Sequence, residues 1–241
     1  MSDAHSIRIL EETGSTNADL ASLIREGRAP AEGDWLIARK QNAGRGRQGR
    51  EWFDGSGNFM GSSLVLRLDN DPPPASLSFV AALAVHDAAA GAVGKTDDLE
   101  LKWPNDVLLS GGKLSGILLE MVGRHVIVGI GVNLARAPDL PERSTAAIAD
   151  HAPAPSPEDF ARSLAEAFAS RLAEWRSEGL SVTLQRFLAL SIHAPGSHLR
   201  VHDGEGEAVE GRFAGLETSD GALRLRLADG SERVIRAGDV D

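Results

Sequence analysis

Arg39, Lys40, Arg45, Arg47 and Arg50 fall between positions 39 and 50 of a chain whose formal net charge is -10. The core of that stretch, AGRGRQGR, is broken by glycines. Glycine lets a backbone take positive φ and approach a ligand closely, and guanidinium forks match phosphate or carboxylate oxygens. A small anion such as a nucleotide phosphate, a nucleic acid, or solvent alone would each suit such a loop. A second stretch, KWPNDVLLSGGKLSGILLE (102–120), carries Asn105 and Asp106 in a turn after Pro104 and places Lys113 at the head of an apolar run. Lys113 is either a solvated hairpin lysine or a charge kept for chemistry, with Ser115 and Gly116 close behind it. In VGIGVNL (128–134), two glycines in a β-branched run predict close approach of another backbone or a ligand. Asn133 ends that run with an amide able to read a base edge by donor and acceptor together. GIGVN is not the GxGxxG dinucleotide fingerprint, since it has no third glycine and no opening helix. Finally, TGSTN (13–17) offers the hydroxyls of Ser15 and Thr16 and the amide of Asn17 at a helix entry, where capping accounts for one of them.

The elements that position these residues alternate between helix and strand. Residues 16–26 predict a helix capped by Thr16 or Ser15, 34–40 a strand running into the arginine loop, and 58–68 a buried strand. DPPPAS breaks the chain before an alanine-rich buried helix over 76–93 that ends near Gly94. ELKW, DVLLSGGKLSGILLEMV and HVIVGIGVNL predict adjacent strands, with a hairpin at Gly111-Gly112. Ser156 as N-cap, Pro157 at N1 and Glu158 and Asp159 in the first turn open a helix whose stripe Phe160, Leu164, Phe168, Leu172 and Trp175 faces the core. A last helix covers 182–191. From His198 onward, short alternating runs separated by DGEG, TSDG and ADGS predict a small antiparallel barrel of four or five strands.

Composition bounds the class. At 241 residues, 42% hydrophobic and 25% charged, the chain can bury a real core, as one large domain or a main domain with an appendage. With no cysteine, disulfides and thiolate metal sites are excluded, which suits a reducing compartment. The start MSDAHSIRIL lacks the pattern of a secretory signal, and no apolar stretch is expected to reach bilayer length, so a cytoplasmic location and no membrane partner are expected. The acidic balance argues against a protein that coats nucleic acid.

Taken in order, GSTN, QNAGRGRQGREW, KWPND with a lysine seven residues beyond its Asp, and GIGVN closely resemble the biotin protein ligase family over about residues 8–190. Lipoate ligases and octanoyl transferases share the family's fold, but would not be expected to combine this arginine-glycine loop with KWPND. The resemblance implies an α+β fold: a mixed-sheet catalytic domain (1–192) followed by an SH3-like barrel (193–241). It implies formation of biotinyl-5'-AMP from biotin and ATP with Mg2+, then transfer to a lysine of a biotin carboxyl carrier protein, an acetyl-CoA carboxylase subunit or similar carboxylase domain. Ser15, Thr16, Asn17, Gln41, Gly44, Arg45, Lys113 and Gly116 match biotin-binding positions. Arg45, Arg47, Arg50, Trp52, Asn105, Lys113 and Asn133 match nucleotide-binding ones. Lys113, Arg45 and Arg47 carry the catalysis, and Asp106 is a candidate Mg2+ ligand. Gln48 departs from the family's usual GRGRRGR. About a dozen residues precede GSTN, too few for the helix-turn-helix of repressor members, so DNA binding is not implied; a homodimer is compatible with the resemblance.

Overall fold

The computed structural model describes residues 6–94, 96–141, 143–203 and 208–240; residues 204–206 of the DGEG turn and the first five residues of MSDAHSIRIL lie outside them. The first part of the chain runs β1 (Ile7–Leu10), α1 (Thr16–Arg25), β2 (Trp35–Ala38), β3 (Phe59–Leu66), α2 (Leu77–Val93), β4 (Leu99–Lys102), β5 (Asp106–Leu109), β6 (Gly112–Val122), β7 (His125–Val132), α3 (Pro157–Glu178) and α4 (Leu180–Ala189). Its strands form one sheet in the order β1-β2-β3-β7-β6-β5-β4. β1 and β2 are parallel and the other neighbours antiparallel, so the sheet is mixed. β4 lies at an edge, where Pro104 ends it at no expense of a ladder hydrogen bond. The hairpin expected at Gly111-Gly112 turns one residue earlier: Ser110 and Gly111 both have positive φ (49° and 79°), as primed two-residue turns require. Gly112 instead starts β6, where an added Cβ would lie 2.8 Å from the backbone of Thr145.

The two faces of the sheet are covered differently. α2 is buried along most of its length, and the Pro74–Val93 run has a mean hydropathy of 1.5. That run is long and apolar enough to cross a bilayer by length and composition, contrary to the sequence expectation. Two-thirds of it is buried within the fold, against the sheet and α3, so its apolarity is that of a core helix. The α3 stripe from Phe160 to Trp175 packs inward as expected, with Trp35, Phe59, Phe160 and Phe168 in edge or tilted ring contacts and Trp175 Nε1 donating to Ser76 Oγ at 2.9 Å. Ser156 accepts from Asp159 N at 3.1 Å and caps α3. α1 lies over β2, β3, β6 and β7, with Leu20, Ala21, Leu36, Leu64 and Ile127 in a small separate apolar cluster.

Five further strands, β8 (His198–Asp203), β9 (Ala208–Leu216), β10 (Leu223–Arg226), β11 (Glu232–Ile235) and β12 (Gly238–Val240), form an antiparallel sheet in the order β11-β10-β9-β8-β12. It is seated firmly. Leu199, Val201, Phe213 and Leu223 belong to the same apolar cluster as α2 and α3, and Trp103 Nε1 donates to Gly221 O at 3.1 Å.

Candidate active site

A cleft of about 1430 Å3 opens beside the sheet and is lined by every residue matched above to biotin or nucleotide, whereas Arg39 and Lys40 lie outside it, Arg39 paired with Glu11 and Glu158 and Lys40 with Glu12. Its floor is made of glycines. A Cβ on Gly131 would lie 2.2 Å from Trp52 Cε2, one on Gly116 2.9 Å from Trp52 Cζ3, and one on Gly129 2.2 Å from Asn17 Oδ1. Gly116 and Gly131 are paired across β6 and β7, so the Trp52 indole rests where two strands both lack side chains. Its Nε1 is buried without a partner.

At one end, the start of α1 supplies Ser15, Thr16 and Asn17, all buried. The hydroxyl of Ser15, expected as a helix cap, makes no capping bond. The orphan N–H of Thr16 donates instead to Gln41 Oε1 at 2.7 Å, leaving Ser15 Oγ at the cleft. From Thr16 a chain of hydrogen bonds crosses the site. Thr16 Oγ1 lies 2.7 Å from Ser62 Oγ, Ser62 donates to Asn17 Oδ1 at 2.5 Å, and Asn17 Nδ2 donates to Glu120 Oε2 at 2.7 Å. Thr16 Oγ1 also lies 3.2 Å from Gln41 Oε1, so its single proton is shared between Gln41 and Ser62. Arg45 Nη2 closes the chain on Glu120 Oε1 at 3.0 Å.

At the other end, Lys113 Nζ donates to Asp106 Oδ1 at 2.6 Å, and both side chains are at least four-fifths buried. Burial pushes the Lys113 pKa below its usual value. Asp106 opposes that push, and Arg143 and Arg50 add to it. Lys113 is therefore no solvated hairpin lysine. Arg47 Nη1 donates to Asn105 Oδ1 at 2.9 Å, and Asn105 Nδ2 donates to Ile117 O at 2.7 Å, so the Asn105 amide is engaged at both ends. The loop makes its tight turn at Gln48, with φ 57°, and Gly49, with φ 73°. Gly44 meets Trp52 across the loop, where Trp52 N donates to Gly44 O at 3.0 Å.

Asn133 was expected to read a base with donor and acceptor together. Its donor is spent: Nδ2 lies 3.2 Å from both Lys113 O and Ala146 O. Only the buried, unpartnered Oδ1 remains, suited to accept from an amino group. The structure also adds residues the sequence did not single out. Glu120 organises Asn17 and Arg45, Arg143 lines the cleft with a buried, unpartnered Nε, and Asp239 reaches the arginine loop from β12. A charge at the end of the apolar run of β6 was a signal for Glu120. Arg143 and Asp239 sit in ordinary polar segments without such a signal.

Comparison with known proteins fits this geometry. The profile of the Biotin/lipoate A/B protein ligase family matches residues 13–133, and that of the Biotin protein ligase C terminal domain matches residues 196–241. The chain is 43% identical to a biotin–acetyl-CoA-carboxylase ligase of Paracoccus denitrificans, over 96% of this chain and 98% of the relative. This chain belongs to the biotin protein ligase family. A Mycobacterium tuberculosis biotin–acetyl-CoA-carboxylase ligase is 35% identical over 96% of this chain and 87% of its own. The fold of this biotin protein ligase family member matches that of an Aquifex aeolicus biotin protein ligase solved with biotin and ATP. The TM-score is 0.82 and the identity 22%, covering 98% of this chain and 97% of that one.

Proposed function

We propose that this chain joins biotin to ATP as biotinyl-5'-AMP and then passes the biotinyl group to a lysine of a biotin carboxyl carrier domain of an acetyl-CoA carboxylase or similar enzyme. The observation that carries the reading is the convergence, in one cleft, of two ends with opposite chemistry. The end built from Ser15, Thr16, Asn17 and Gln41 offers neutral donors and acceptors for a ureido group above a glycine floor. The end built from Lys113, Arg45, Arg47 and Arg50 offers positive charge for a carboxylate and phosphates.

In the first step a biotin carboxylate oxygen attacks the α-phosphorus of ATP, and the bond to the β-phosphate bridging oxygen breaks to release pyrophosphate. Two anions must meet, so the reaction needs charge and alignment more than a strong base. Lys113 supplies charge for both, and Asp106 beside it opposes the push of burial against that charge. Trp52 and the Asn133 Oδ1 acceptor fit an adenine amino group and ring. In the second step the carrier lysine, as a neutral amine, attacks the acyl carbon, AMP leaves, and the nitrogen loses a proton. The mixed anhydride is labile to water, and the arginine loop shelters it until the carrier arrives.

No group of three or more metal-ligating side chains occurs among the described residues. Asp106 gives one oxygen to Lys113 and is the carboxylate nearest that lysine's charge. This donor set suits a magnesium ion that keeps its waters and phosphate oxygens and takes at most one protein carboxylate, Asp106. Bound with the nucleotide, the ion adds positive charge at the phosphates. The division at residue 193 is compatible with the same reading: the mixed sheet and its loops supply most of the cleft lining, and the second sheet adds His202, Asp239 and Val240.

The test is exchange of labelled pyrophosphate into ATP by the purified protein, with biotin, lipoate and octanoate in parallel. Exchange with biotin alone is the expected result. Exchange with lipoate or octanoate alone would keep the adenylation chemistry and overturn the acid.

A further inference from the structure

Two loop arginines are held by the last strand of the chain. Arg50 Nη2 donates to Asp239 Oδ2 at 2.6 Å, Arg47 Nη1 lies 3.5 Å from Asp239 Oδ1, and Arg47 Nη2 donates to Gly238 O at 3.3 Å. Asp239 is paired with His202 in the β12–β8 ladder, so its carboxylate is carried by the barrel and not by the loop. That ladder is close: a Cβ on Gly238 would lie 2.5 Å from His202 O.

Burial works against the charge of Arg47, and Arg50 adds to that, while Asp239 and, to a lesser degree, Asp106 oppose it. The loop between the two arginines turns at Gln48 and Gly49, both at positive φ, and Arg50 Nε lies 3.4 Å from Arg47 O. Remove the Asp239 carboxylate and two like charges remain on a short glycine-containing turn with Asn105 as the chief remaining side-chain anchor. A guanidinium has five N–H donors, so each arginine can hold Asp239 and still present hydrogens to a phosphate.

We propose that Asp239 is a positioning residue that holds Arg47 and Arg50 over the cleft, so that the C-terminal barrel, through this one carboxylate, sets how long the enzyme retains its acyl-adenylate. The inference rests on the adenylate reading above and adds a residue to it. Asp239 acts through the two arginines and not on the reacting atoms.

The test uses the full-length chain as wild type, D239A, D239N, D239E, R47A and the double variant R47A/D239A. Each is loaded with labelled biotin and ATP, and release of biotinyl-5'-AMP is followed after a chase. D239A and D239N are expected to release it about two- to fivefold faster than wild type, the size expected for one half-exposed charge pair. D239E should restore most of the retention, and the double variant should accelerate release by less than the product of the two single effects, because one of the two arginines that Asp239 holds is already gone while Arg50 still loses its anchor. Biotin affinity should be unchanged, since the Ser15 and Gln41 end is untouched; a general loss of structure would lower it. D239N is nearly isosteric and serves if D239A folds poorly. Release at the wild-type rate from D239A and D239N, with R47A accelerated, overturns the proposal, as does an additive double variant. A wild-type chain that forms no adenylate overturns the proposed function itself and this inference with it.

Discussion

Lys113 has its amine against Asp106 in the cleft, so K113A is expected to lower biotin-dependent pyrophosphate exchange by about 10^2- to 10^3-fold, the usual size for removing one charge from a transition-state clamp. Circular dichroism and the unfolding midpoint should change little, because the side chain packs into the cleft and not into the core. A variant with normal exchange would take Lys113 out of the reaction. The oddness of this residue was legible early: a lysine opening an apolar strand is a local anomaly. Arg45, Arg47 and Asn133 drew notice in the same way, from local pattern, whereas Trp52 was named only through the resemblance to the family. The partners of these residues were not legible. Arg45 meets Glu120, 75 residues away, and Arg50 meets Asp239, 189 residues away, and no local pattern links residues at such separations. The half-spent amide of Asn133 was equally hidden, because it depends on the carbonyls of Lys113 and Ala146.

At the scale of elements, β7 has its glycines in alternate register, and Gly131 carries the sharper consequence. A methyl there would meet the Trp52 ring at 2.2 Å, so G131A must displace the indole. Affinity for ATP, measured by titration calorimetry, is expected to weaken by about 10- to 100-fold, the effect of moving a binding group by an ångström or so. An unchanged affinity would remove Trp52 from the pocket. The glycine pattern in VGIGVNL announced a close approach correctly but could not name the indole of Trp52 as what approaches. Helix boundaries were legible from Ser156, Pro157 and Gly94, since each satisfies or ends a helix locally. The turn after β5 was misplaced by one residue, because two consecutive glycines give either register the same local freedom. Only the backbone of Thr145, packed against Gly112, decides between them.

The whole molecule is held together across its two sheets, and His193 stands at that joint. It is 5% exposed, its ring lies 5.9 Å from that of Phe213, and its Nε2 is buried without a partner. Burial, with Lys102 adding to it, lowers its pKa to about 4 from 6.5. The folded value is below the unfolded one, so the favourable contribution is present above about pH 6.5 and is lost as pH falls towards 4. Urea unfolding of wild type should lose about 1–3 kcal/mol from this source between pH 7 and 4.5. H193L should show a correspondingly shallower decline; an equal decline would assign acid sensitivity elsewhere. The barrel itself was legible from its turn residues, whereas its merger with the α2 and α3 core was not, since alternating strands do not reveal what they pack against. Strand β12 also has a practical bearing on anyone who labels this enzyme. It carries Asp239 and Val240 on the wall of the cleft, so a bulky label attached along this strand would crowd the arginine loop.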